Sequence, residues 1–220
     1  MKTRDPRPLL SEVAYERILQ ALFDARLQMG AQINQGALVE MTGIPVGPVR
    51  DALKLLETDG IVKVHPRSGI EVISPSMDLM RATFQFRSII ERPAARAFAR
   101  VAPEEDLLEL QARHKDVIAQ LTGQEPSANV GDILDGVEVD FHPRIVASLN
   151  NELVDASYRR LSLMARILKV KAMIYPSAAL VSVGEHLAVI EACLRRDPDA
   201  AENAMSQHLT NALNRNLGLT

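Results

Sequence analysis

Residues 35–73 read QGALVEMTGIPVGPVRDALKLLETDGIVKVHPRSGIEVI, and this stretch decides the fold of the first part of the chain. A short apolar helix pattern stops at Gly43, and Pro45 is placed to open a second helix, where its missing N–H removes no hydrogen bond. Two short strand patterns, 61–64 and 70–73, then flank a turn-rich segment. The order predicts a winged helix-turn-helix with a small β-hairpin wing.

Such a unit suits double-stranded DNA, because its second helix fits the major groove and the wing reaches flanking phosphates. A small helix-hairpin subdomain with another role has the same pattern. Charge gives little help, since the net charge is -3 and residues 1–75 hold equal numbers of basic and acidic side chains. Basic residues could still cluster on one face, and the candidates are Arg4, Arg7, Arg50, Lys54, Lys63 and Arg67.

Composition indicates a folded protein of a reducing compartment. The chain has 220 residues, of which 47% are hydrophobic and 24% charged, enough for one or two buried cores. Its single cysteine, Cys193, lies among apolar residues at helical spacing and is expected to be a buried small hydrophobe. The first residues lack the apolar run of a signal peptide, so we expect a cytoplasmic protein without a membrane anchor.

Strand signals end at Ser74-Pro75-Ser76, and we predict two domains, 1–75 and 76–220. An amphipathic helix that ends near Met29 precedes the helix-turn-helix. The second domain is predicted to be an antiparallel all-helical bundle, which makes the chain mainly α. Its helices are expected at about 77–100, 103–121, 128–149, 151–172, 178–196 and 198–217.

Three histidines in the predicted bundle suggest a metal site. His142, His186 and His208 fall on three different helices, each beside apolar residues at helical spacing, so each is expected to point inward. Glu138 lies one turn before His142 on the same helix face. Three imidazoles and a carboxylate suit Zn²⁺ or another divalent transition metal. Hydrogen-bonded core histidines would give the same pattern.

A further histidine of the predicted bundle, His114, is expected at the surface. It lies between Arg113 and Lys115 in a polar stretch, and we expect its side chain to be solvated.

The whole chain resembles a GntR-family transcriptional regulator of the FadR type, with a winged helix followed by an FCD ligand-sensing domain. The six-helix count is similar to the VanR-like branch. The resemblance rests on motifs in order along the chain. These are Pro48-Val49-Arg50-Asp51-Ala52-Leu53, Leu56-Glu57-Thr58-Asp59-Gly60-Ile61, Arg87 with Ile90-Glu91, Phe141-His142, Ser148 to Asn150, Glu185-His186-Leu187-Ala188-Val189-Ile190-Glu191-Ala192 and His208-Leu209.

The resemblance implies a metal held by an Asp and three His in the bundle. His142, His186 and His208 match the histidine positions, whereas Glu138 replaces the commoner Asp and is one methylene longer. The implied metal is zinc, with nickel or manganese as alternatives. Arg87 would hold a carboxylate effector beside the metal through its guanidinium, and its alternative role is an ion pair with Glu91 one turn along the helix.

The resemblance also implies DNA contacts, with one departure. Relatives commonly carry Ser-Arg-Thr where this chain has Pro45-Val46-Gly47, so an arginine is missing and Val46 could instead touch a thymine methyl. Gly47 could let the helix start approach a phosphate. We expect the DNA-contacting residues to be Gln35, Val46, Gly47, Arg50, Arg67 and Gly69.

The sequence therefore predicts a ligand-responsive DNA-binding regulator, a repressor that acts as a homodimer on a two-fold operator and responds to a small organic acid. It is not expected to be an enzyme. Two other classes stay open: a helical sensor or scaffold whose winged helix no longer binds DNA, and a metal-dependent hydrolase, for which the chain has no HExxH motif.

Overall fold

The computed structural model describes residues 8–123, 128–169 and 175–219. Contacts divide the chain into two compact units, Met1–Ser76 and Met77–Thr220.

The first unit is a winged helix-turn-helix, as predicted. Its elements are α1 (Leu10–Phe23), β1 (Gln32–Ile33), α2 (Gln35–Thr42), α3 (Val46–Thr58), β2 (Val62–His65) and β3 (Gly69–Val72). Both strand pairs are antiparallel and the strand order is β1-β3-β2. The sequence did not reveal β1, because two residues carry no readable alternation.

Residues at both ends of α2 explain where this helix begins and ends. The Asn34 side chain accepts a hydrogen bond from the backbone N–H of Ala37 and caps the start of α2. Gly43 ends the same helix with a left-handed backbone, φ 65°, which glycine adopts without steric cost.

The prediction that the first helix runs to Met29 was wrong. It ends at Phe23, and Ala25 takes a left-handed conformation that no helix continues through.

The second unit is a helical bundle, which confirms the predicted fold class. Its helices are α4 (Met77–Val101), α5 (Glu104–Leu121), α6 (Ala128–Ala147), α7 (Glu152–Lys169), α8 (Pro176–Leu194) and α9 (Pro198–Asn216). The predicted end of α7 at residue 172 lies outside the described residues. Prolines open α8 and α9, and the Asp197 side chain caps α9 by accepting from the Ala200 N–H.

Helix α8 forms much of the bundle core. By length and composition alone it could cross a membrane, but core helices of globular proteins pass the same test. It packs against α5 on one side and α9 on the other, and Cys193 near its end is fully buried. This places residue 186, in the middle of α8, between its neighbouring helices.

Candidate functional site

The bundle brings the three predicted histidines together in its interior. His142 on α6, His186 on α8 and His208 on α9 are all buried, and each offers a ligand nitrogen within 4.8 Å of the other two. Residues from three helices thus converge on one point, although 66 positions of sequence separate the first from the last (208 − 142).

The inner nitrogens of this cluster face each other. The Nε2 atoms of His142, His186 and His208 are buried and have no hydrogen-bond partner among the described residues. The Glu138 carboxylate lies beside them, with Oε2 3.3 Å from Nε2 of His142 and Oε1 3.7 Å from Nε2 of His186. Buried polar atoms are rarely left without partners, and three nitrogens with an adjacent carboxylate oxygen are a suitable donor set for a divalent transition metal.

The outer nitrogens of the same rings are all engaged. His142 Nδ1 lies 2.7 Å from Glu91 Oε2, and His208 Nδ1 lies 2.9 Å from Glu185 Oε2. His186 Nδ1 lies 3.2 Å from His114 Nε2. A carboxylate only accepts, so His142 and His208 donate through Nδ1–H when neutral, and the Nε2 lone pair of each is left for a ligand.

Burial keeps two of the imidazoles neutral. It lowers the pKa of His208 to about 4 and holds the pKa of His186 well below its ordinary value, with the neighbouring imidazoles adding to the shift. Neutral imidazole is the form that binds a metal. Glu185 remains charged beside His208, because the Arg215 and His208 hydrogen bonds outweigh burial and lower its pKa to about 2.

The expectation for His114 was wrong. Its side chain is 1% exposed, and Nδ1 lies 2.7 Å from the carbonyl oxygen of Leu110. Burial lowers its pKa. The polar neighbours in sequence were misleading, because His114 shares the helical spacing of the buried face of α5, one turn after Leu110 and almost one turn before Val117.

Arg87 is paired with Glu91 inside the bundle. Arg87 Nε donates to Glu91 Oε1 over 2.6 Å, and Nη2 lies 3.3 Å from Oε2. Tyr158 also donates to Glu91, over 3.0 Å. Burial alone would raise the Glu91 pKa, but the charge of Arg87 and the contact with His142 outweigh it and hold the pKa well below its usual range.

A cavity of about 40 Å³ adjoins the histidine cluster. Arg87 contributes to its wall, and the Nη1 atom of Arg87 is buried without a hydrogen-bond partner in the described part of the chain. The space exceeds that needed for one water molecule. The cavity is lined by Arg87, Asp135, Glu138, His142, Tyr158, Ser162, Ala165 and Arg166.

In the first unit, helix α3 presents several predicted DNA-contacting residues on its exposed side. Val46 is 51% exposed, Arg50 is exposed, and both precede the helix middle. A Cβ added to Gly47 would meet no atom within 4 Å, so packing within the described chain does not require glycine there. Arg67 is exposed in the wing.

Two other residues predicted to contact DNA have roles inside the fold. Gln35 Nε2 lies 3.5 Å from the Val46 carbonyl oxygen and so links the starts of α2 and α3. Gly69 has φ 102°, and a Cβ there would lie 2.9 Å from the carbonyl oxygen of Ile33. The close approach of β1 to β3 therefore requires glycine at this position.

Family comparisons match both units. The family model described as "Bacterial regulatory proteins, gntR family" matches residues 10–72, and the FCD domain model matches residues 82–211. The matches span the helix-turn-helix with its wing and the bundle with all three clustered histidines.

Individual relatives are similar over nearly the full length. The HTH-type transcriptional repressor RspR of Escherichia coli (strain K12) is 22% identical over 206 residues, 93% of this chain and 88% of its own. The HTH-type transcriptional repressor NanR of Enterobacter sp. (strain 638) is 27% identical over 225 residues, 92% and 84% of the two chains.

Solved structures share the fold. A transcriptional regulator GntR from Rhodococcus sp. RHA1 superposes with a TM-score of 0.75 at 16% identity and covers 96% of this chain and 98% of its own.

Proposed function

Because the chain belongs to the GntR family of bacterial regulatory proteins and carries an FCD domain, we propose that it is a cytoplasmic repressor controlled by a small organic acid. The family comparisons already identify it as a ligand-responsive DNA-binding transcriptional regulator. The acid binds in the bundle beside a divalent metal. The observation that carries the proposal is the convergence of three buried Nε2 atoms that have no partner among the described residues.

His142, His186 and His208 would hold the metal, with Glu138 as the fourth ligand. Zinc fits best, since three imidazoles and one carboxylate match its preferred donors, and nickel or manganese are alternatives. The metal would act as a Lewis acid that attracts an anionic oxygen. The chain's own residues prepare the site, because Glu91 and Glu185 orient two of the imidazoles and burial keeps their surroundings dry.

Arg87 is the proposed anchor for the effector's carboxylate. Its Nε and Nη2 are held by Glu91, which fixes the guanidinium plane, and Nη1 remains available in the described structure. A carboxylate in the adjoining cavity would satisfy this buried donor and form a charge-assisted hydrogen bond. The ion pair with Glu91 and the effector contact are thus compatible roles of one side chain.

The winged helix is proposed to bind the operator DNA. Arg50 would read a base edge in the major groove, while Val46, Gly47 and Arg67 contact a methyl group or the backbone. A homodimer would present two such helices to a two-fold operator. The effector would act by binding more tightly to one arrangement of the dimer than to another, which changes operator affinity.

The function is tested on the full chain. Operators are selected from random duplex DNA, and affinity is then measured with chelator-treated and zinc-loaded protein against a panel of mono-, di- and tricarboxylic acids. We expect at least one acid to change affinity by about 5- to 150-fold in the zinc-loaded protein. Unchanged affinity with every acid, together with no bound metal by elemental analysis, would refute the proposal.

A control variant separates effector binding from loss of the fold. Arg87→Lys keeps a positive charge near Glu91 but lacks the planar fork, so it should lose the response to the acid while keeping DNA affinity.

Measurement of the protein's molecular mass in solution tests the homodimer. A monomer at concentrations that saturate the operator would contradict that part of the proposal.

A further inference from the structure

We propose that His114 is a positioning residue that fixes His186 in the tautomer with its proton on Nδ1 and its lone pair on Nε2. The inference rests on the proposed metal site, since it concerns how one ligand is prepared. It assigns a specific role to a side chain that does not itself belong to the cluster of inward-facing nitrogens.

The direction of the hydrogen bonds follows from the Leu110 carbonyl. Its oxygen can only accept, so His114 Nδ1, 2.7 Å away, carries a proton and donates it. A neutral imidazole has one proton, and His114 Nε2 must then be an acceptor. His186 Nδ1, 3.2 Å from that atom, is left to donate. The lone pair of His186 is consequently on Nε2, the atom that faces His142, His208 and Glu138.

His186 differs in this respect from the other two histidines. His142 and His208 donate to the carboxylates of Glu91 and Glu185, which accept in any arrangement. An imidazole accepts on Nε2 only when its proton is on Nδ1. The orientation of His186 therefore depends on the bond between His114 and the backbone of its own helix, α5.

Packing alone does not account for a histidine at this position. His114 also makes edge contacts with the rings of Phe141 and His186, with centroids 5.3 Å apart in each case. A phenylalanine would preserve such contacts in a buried site. Phenylalanine would, however, lack the hydrogen-bond acceptor that His114 Nε2 supplies to His186 Nδ1.

The test compares His114→Phe with His114→Gln in the full chain. Phenylalanine fills the space and removes the acceptor, whereas the glutamine side-chain oxygen can accept from His186 Nδ1. We expect His114→Phe to weaken zinc binding by about 10- to 100-fold in competition with a chromogenic chelator, the usual effect of losing an outer partner. His114→Gln should restore most of the affinity. Phe141→Leu is the matched control, because it removes the ring stacked on His186 and leaves the hydrogen bonds intact.

Nitrogen-15 NMR of the metal-free protein gives a second readout, independent of metal. In the natural chain we expect the His186 proton on Nδ1, and in His114→Phe we expect the other tautomer to be populated. Equal zinc affinity of His114→Phe and the natural chain, or a natural chain with the His186 proton on Nε2, would overturn the inference. Absence of any zinc binding by the natural chain would instead refute the metal site, and the NMR result would still decide the role of His114.

Discussion

Arg87 and Glu91 form an ion pair one helical turn apart on α4, and Glu91 at the same time accepts a hydrogen bond from His142. Both charged side chains are almost completely buried. One carboxylate thereby joins the proposed effector anchor to a proposed metal ligand. Whatever changes the position of Arg87 also changes the partner that orients His142.

Arg87→Met should destabilise the bundle by about 3–5 kcal/mol, because it leaves the Glu91 charge buried without its main counter-charge. Urea unfolding measures the loss. Lys54→Met is the control, since it breaks the exposed pair with Asp51, whose loss is expected to cost no more than about 1 kcal/mol. The double variant Arg87→Met, Glu91→Gln should be less destabilised than Arg87→Met alone. A greater loss in the double variant would contradict the dependence of Glu91 on Arg87.

Glu138→Gln should weaken zinc binding on the order of 10- to 100-fold, an effect at least as large as that of losing an outer partner, because the amide lacks the negative charge of the carboxylate. Glu138→Asp tests the extra methylene. Isothermal titration with zinc measures both variants. Asp140→Asn is the matched control two residues along α6, because Asp140 pairs with Arg113 and Arg144 instead. A Glu138→Gln protein with unchanged zinc affinity would exclude this carboxylate as a ligand.

The metal-free protein should lose stability as the pH falls from about 6.5 to about 4. Burial lowers the His208 pKa to about 4 in the folded chain, so between these values only the unfolded chain takes up the proton. This contribution is fully present above pH 6.5 and amounts to roughly 3 kcal/mol at most. His186, whose pKa is also lowered, acts in the same direction.

Chelator-treated protein is unfolded with urea at a series of pH values to measure this effect. His208→Gln should have a shallower dependence of the free energy of unfolding on pH. Gln207→Ala, an exposed change beside His208 on α9 that removes no titratable group, is the control and should leave the dependence unaltered. Identical slopes for the natural chain and His208→Gln would contradict the prediction.

Arg50→Ala should reduce operator affinity by about 1–3 kcal/mol and relax specificity at one base pair. Fluorescence anisotropy with operator and mutated duplexes measures both effects. Arg26→Ala is the control, because Arg26 is also exposed but pairs with Asp24 near the end of α1. An equal loss of affinity for every duplex, whatever its base sequence, would identify Arg50 as a phosphate contact.

The helical spacing of apolar residues, together with the prolines and glycines near helix ends, was sufficient to predict the bundle helices and the helix-turn-helix. The same spacing predicted that three histidines point inward, because each histidine shares a face with apolar neighbours. The outer partners Glu91, His114 and Glu185 did not follow from the sequence. Their contacts cross from one helix to another, and the packing between helices that brings such side chains within hydrogen-bond distance has no signature in local periodicity.

The histidine cluster also bears on how this chain can be cross-linked. With one cysteine, Cys193, the protein cannot form an internal disulfide. A cation held by His142, His186 and His208 would close two long loops of the chain at once and restrict the unfolded state as a covalent bridge does. Unlike a disulfide, this closure would depend on the concentration of available metal. The unfolding temperature of the protein would therefore rise as more metal is supplied.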